Sequence, residues 1–158
     1  MQYFISVFIS AFLIFQIQPI ISKIILPWFG GGASVWTTCM LFFQFFLLVG
    51  YLYAYILAKI FSVKYQIIVH LVCLLFSLFL LPYNIVDVQN IISGPPTWAV
   101  LKVLFFGLGF PYLILSANTP LLQHWFTRQT EGANPYRLYA ISNIAAFLAL
   151  VSYPVVFE

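Results

Sequence analysis

Charge is scarce in this chain. Its 158 residues include six Lys or Arg and three Asp or Glu, 6% in all, where a soluble domain carries about 25%. Such a sequence has too little polar surface to cover a folded body in water. The six basic residues are scattered singly, so the net charge of +3 makes no nucleic-acid surface. Cys39 and Cys73 both fall in apolar runs, which argues against a disulfide framework, and the two histidines, His70 and His124, have no acid nearby to complete a metal site. The three carboxylates, Asp87, Glu131 and Glu158, stand outside the apolar runs. Proton-coupled transport and acid–base catalysis usually lean on a carboxylate inside the membrane, and none is available here. Gly30, Gly31 and Gly32 have neither a strand before them nor an amphipathic helix after them, so they make no phosphate cradle. No cofactor is implied by the residues.

What the chain has instead is hydrophobicity, 64% of residues with a mean hydropathy of +1.07. Five apolar segments at about 4–25, 35–60, 65–81, 97–126 and 136–157 are long enough to cross a bilayer as helices. The expected fold class is therefore all-α, a polytopic helical membrane protein forming one transmembrane domain with no soluble catalytic domain and the lipid bilayer as its first partner. A cleaved signal peptide competes for the first segment, but nothing basic precedes the run and it exceeds the usual signal core. A retained span is expected. Five crossings is an odd count, as expected of an incomplete bundle.

Proline and glycine punctuate the segments. Pro27 with Gly30–Gly32 forces a turn, Pro82 and Asn84 close the third span, Pro95 and Pro96 open the fourth, and Gly132 and Pro135 separate the fourth from the fifth. Pro19, Pro111, Pro120 and Pro154 lie within spans, where each frees a carbonyl that a neighbour must satisfy.

Polar residues inside apolar spans are the candidate site residues, because hydrocarbon gives them no partner. Gln16 and Lys23 are seven apart on one helix face, and Lys23 is near enough to the end to snorkel. Lys102 lies about 8 Å into the fourth span and is expected to do the same. His70 is expected to bond a neighbouring carbonyl. In the fourth span Tyr112, Ser116, Thr119 and Gln123 follow at spacings of four, three and four, with Asn118 beside them. In the fifth, Tyr136, Tyr139 and Asn143 recur at three and four. In the second, Gln44, Tyr51 and Tyr55 recur at seven and four. Three such stripes are what a small polar cavity needs, and also what interhelical hydrogen bonding needs at about 0.6 kcal/mol per bond. The sequence leaves both readings open. It also leads to the expectation that Gln44, Asn118 and Asn143 face one another inside the bundle.

The runs QPIISKIILPWFGGGASVWTTCMLFFQFFLLVGYLYAY (Gln18 to Tyr55), ANTPLLQHWF (Ala117 to Phe126) and NPYRLYAISNIAAFLALVSYP (Asn134 to Pro154) resemble the amino-terminal membrane part of bacterial major-facilitator/spermidine-synthase fusion proteins. The resemblance spans nearly the whole chain in order. It departs at Tyr55, where the family often has histidine, and at Ile144–Ala145–Ala146, where Gly–Ser is common. In that family further spans follow, and then a soluble aminopropyltransferase-like domain. The resemblance implies a bacterial inner-membrane domain, non-catalytic by itself, that anchors or serves a separately encoded catalytic or membrane subunit. The alternative is a transporter-like subunit with a cavity for a small polar or cationic metabolite. Against it, the connection AKIFSVKYQ (Ala58 to Gln66) lacks the glycine–aspartate–arginine pattern of a major-facilitator protein.

Lys59 and Lys64 flank the second connection, and Arg128 and Arg137 the fourth. The positive-inside bias then puts the amino terminus in the cytoplasm. Reporter fusions after Lys64 and after Glu131 are expected to read as cytoplasmic and one near Asn90 as external. An external signal at either of the first two sites would reverse the topology.

Overall fold

A computed structural model describes residues 1–80, 95–129 and 134–156, and the described residues are helical with no strand among them. Pro82, Asn84, Asp87, Asn90, Glu131, Gly132 and Glu158 lie outside them. Five helices are long and apolar enough to cross a membrane. They begin and end within a few residues of the boundaries expected from hydropathy. Helix α1 (Gln2–Ile25) tightens into a 3-10 turn over Leu26–Phe29, α2 covers Ala33–Ile60, and α3 covers Val63–Leu80. Helix α4 runs over Pro96–Gln129 and α5 over Tyr136–Val156.

Local chemistry sets the ends. Pro27 can donate no backbone bond, so the chain leaves α1 through Gly30 and Gly31 at φ 86° and 68°, a left-handed conformation that glycine adopts without penalty. The Gly31 N–H closes the turn on the Leu26 carbonyl at 2.9 Å. Only Phe61 and Ser62 separate α2 from α3. Pro96 occupies the first turn of α4, where its missing N–H removes no helix bond. A feature not expected from the sequence is a π turn over Phe105–Gly109, which ends two residues before Pro111. One extra residue in the turn re-aims the remainder of α4, and such turns interrupt helices where a side chain or proline disturbs the bonding ladder. At 34 residues and a 1.5 Å rise, α4 is about 50 Å long and must tilt or project beyond a core of about 30 Å.

Helix α4 is the hub. It packs against α1, α2 and α3, and 56% of its most apolar window is buried, against 11% for α5, which rests on α1. The larger core cluster joins Phe42, Phe43 and Phe46 of α2 to Leu104, Leu108 and Tyr112 of α4. Phe42 and Phe46 stack with centroids 4.3 Å apart, and Phe43 meets Tyr112 at 5.1 Å. A second cluster sets Ala54 and Leu57 against Ala117, Leu121 and Trp125. Lipid is as apolar as these side chains, so close packing rather than water exclusion holds the helices together.

Helices α2 and α4 approach closely at Gly50. A β-carbon there would overlap the Ser116 hydroxyl and sit 2.8 Å from the Leu113 carbonyl oxygen. Gly50→Ala is therefore expected to lower thermal stability in detergent by the equivalent of about 1–3 kcal/mol, the usual range for overpacking. Adding Ser116→Ala should not restore it, because the Leu113 carbonyl remains in the way. Full recovery in the double variant would contradict this packing.

Candidate functional site

The polar candidates divide by helix face. Those on α4 turn inward: Tyr112, Ser116, Thr119 and Gln123 are all buried, as one stripe. Gln18 of α1 donates to the Tyr112 hydroxyl at 2.8 Å, and the Ser116 hydroxyl donates to the Leu113 carbonyl at 2.7 Å. The hydroxyl of Thr119 is buried without a hydrogen-bond partner.

Asn118 is the junction of the interior. Its Nδ2 donates to the Ser10 hydroxyl of α1 at 2.7 Å, and its Oδ1 lies 3.3 Å from Nε2 of His70 on α3. One amide thus joins three helices. An amide oxygen can only accept, so this pairing requires the proton on His70 Nε2 and leaves Nδ1 as the acceptor. That nitrogen is buried with no partner. His70 was expected to bond a carbonyl, and the carbonyl it meets is that of a side chain. Its ring lies between those of Tyr53 (6.0 Å) and Trp125 (6.3 Å). The Trp125 indole donates to Gln66 Oε1 at 2.8 Å, and Gln66 Nε2 donates to the Phe61 carbonyl at 2.6 Å. A polar belt therefore runs from the end of α4 to the middle of the bundle.

Sequence reasoning did not assign Ser10, Gln18, Gln66 or Trp125 to this belt. A signal was present in Gln66 and His70, four apart and so on one face of α3, and in Gln18 directly before Pro19.

Gln16 is buried at the α1–α5 contact, where its Nε2 donates to the Ser152 hydroxyl at 2.8 Å and its Oε1 has no partner. Lys23, its expected face-mate, is exposed in the last turn of α1. Gln44 on α2 and Tyr139 and Asn143 on α5 are also exposed. The expectation that Gln44, Asn118 and Asn143 converge is thus corrected: Asn118 alone points into the bundle. The reason is rotational. Gln44 lies one residue past Phe43, which buries against Tyr112, and α5 buries only Leu138, Ala145 and Ala149.

A crevice of about 300 Å³ between α1, α3 and α4 is walled by Leu13, Ile17, Leu74, Leu75, Leu108 and Leu115, with Ser77 and Tyr112 as its polar members. Such a crevice suits a hydrocarbon chain better than a polar metabolite. Among the described residues no three of His, Cys, Asp and Glu group to hold a metal, and Cys39 and Cys73 are unpaired.

Replacing Asn118 with leucine strands Ser10 and His70 together. The expected loss is about 1–3 kcal/mol of stability, the penalty for leaving buried partners unpaired. Gln44→Leu and Asn143→Leu, which remove no hydrogen bond among the described residues, should leave the melting temperature of the purified chain unchanged. Equal losses for all three variants would contradict the division of faces. Comparison with protein-family models, curated proteins and solved structures finds no match to this chain.

Proposed function

We propose that this chain is an integral membrane domain of the kind found in spermidine synthase-like fusion proteins, and that it anchors or serves an aminopropyltransferase-like partner without catalysis of its own. The observation that supports this is the polar side that α2 and α5 each turn outward. Gln44 is about 16 Å along α2 from Ala33, and Asn143 about 10 Å along α5 from Tyr136, both inside the depth of a hydrocarbon core of about 30 Å. Each amide carries hydrogen-bonding groups that acyl chains cannot satisfy. Tyr51, Tyr55 and Tyr139 stand exposed on the same two helices. Further membrane-spanning segments with polar side chains would satisfy this side and carry the catalytic partner. We also infer a bacterial inner-membrane location with a cytoplasmic amino terminus, supported by the four exposed cations Lys59, Lys64, Arg128 and Arg137 at one end.

The transporter-like alternative draws support from the unpartnered interior atoms of Gln16, Thr119 and His70, which a small polar ligand could engage. The apolar lining of the crevice between α1, α3 and α4 weighs against it.

A photoreactive residue placed at position 44 or 143 in native membranes is expected to give polypeptide adducts, identified by mass spectrometry, while one at position 48 or 148 gives lipid adducts. Lipid adducts at all four positions would overturn the assembly reading. Purified chain given decarboxylated S-adenosylmethionine and putrescine should show no turnover above a vector control, and turnover would overturn the non-catalytic reading.

A further inference from the structure

Four of the six basic side chains are gathered at one end of the bundle. Lys59 and Lys64 flank the Phe61–Ser62 corner between α2 and α3, Arg128 closes α4 and Arg137 opens α5. Side-chain contacts fasten these ends together. The Trp125–Gln66 hydrogen bond holds the end of α4 to the first turn of α3, and Tyr3 of α1 donates to Gln129. The Tyr3 and Phe4 rings meet Phe126 edge-on at 5.6 and 5.8 Å. Lys64 and Arg128 are therefore held on one rim by neighbouring helices, and all four cations are exposed.

Two further observations give the rim its chemistry. The described residues contain no carboxylate, and among them the four cations make no ion pair. In the sequence Glu131 is the one acid between Arg128 and Arg137. Phenols and apolar groups lie at the same level: Tyr55, Tyr65 and Tyr136 are 62%, 61% and 75% exposed, beside Ile60 at 66% and Phe61 at 44%. The Lys59 ammonium stands 5.9 Å from the Tyr55 ring centroid. Amphipathic rings and uncompensated cations over exposed apolar side chains match the boundary between acyl chains and phosphates.

We propose that this rim is a binding surface for anionic phospholipid headgroups, with Lys59 and Lys64 at the corner and Arg128 and Arg137 beside it contacting the phosphates. The surface selects anionic over zwitterionic lipid, since both offer a phosphate but only the former leaves net negative charge for the cations to meet. It does not draw on Gln44 or Asn143, and it does not depend on which way the chain crosses the membrane.

Full-length chain is reconstituted into nanodiscs of phosphatidylcholine mixed with phosphatidylglycerol, released, and the retained lipids are weighed by native mass spectrometry. Enrichment of phosphatidylglycerol over the disc composition is expected. It should fall about fivefold for Lys64→Gln or Arg128→Gln, the factor that corresponds to about 1 kcal/mol per interfacial cation, and further in the double variant. Lys102→Gln, at the other end, should leave it unchanged. Melting curves of the parent in these discs and in discs of phosphatidylcholine alone give a second readout, higher with phosphatidylglycerol, with the difference shrinking as salt is raised. Equal retention of both lipids by the parent, or enrichment that survives the double variant, overturns the proposal. Enrichment lost equally with Lys102→Gln would assign it to net charge rather than to this rim, and would also overturn it.

Discussion

Hydrocarbon supplies no hydrogen bonds, and the arrangement of this molecule follows from how its polar groups meet that constraint. The backbone meets it by remaining helical through every described span. The side chains meet it by pairing, and Asn118 shows how far one residue can carry the pairing: its amide accepts from α3 and donates to α1 from the middle of α4. Because α4 carries this amide together with Tyr112, Ser116 and Trp125, it is the helix against which the others must register. Apolar side chains fill the intervals but do not determine the register, since a leucine is nearly as comfortable against lipid as against another leucine.

The same property decides what was legible in the sequence. Span number and approximate ends were readable, because a run of apolar residues between prolines and glycines has few other uses. Which face of each span turns inward was not. In a soluble helix the apolar face is the buried face. Here both faces are apolar, so Leu48 and Leu57 look alike in sequence while one is 66% exposed and the other 4%. The polar stripe of α4 gave a correct orientation because its four members crowd one face and need partners. Gln44 and Asn143 carry the same amide chemistry but sit on faces from which the described helices are absent, and spacing alone could not separate them from Asn118. The π turn before Pro111 was equally invisible, because it depends on how the freed backbone groups resettle.

The interior belt and the outward stripes therefore have different relations to function. Ser10, His70 and Asn118 are bound to one another and account for cohesion. Gln44, Tyr139 and Asn143 contribute nothing visible to the cohesion of the described helices, which is why they support an assembly role. The crevice between α1, α3 and α4, walled almost wholly by aliphatic side chains, is a place for hydrocarbon rather than for a polar group.

The pairing of α5 with α1 also bears on biogenesis. Gln16 and Ser152 bond across a separation of 136 positions in the chain, so the surface of α1 that receives α5 is synthesised and inserted long before its partner exists. During that interval a glutamine stands open to acyl chains. Helix α1 must wait in an unfavourable environment, or be shielded by the insertion machinery, until α5 arrives. Closure of this pair must follow the insertion of α5, and a substitution at Ser152 would act on how long α1 is held by that machinery as well as on the finished bundle.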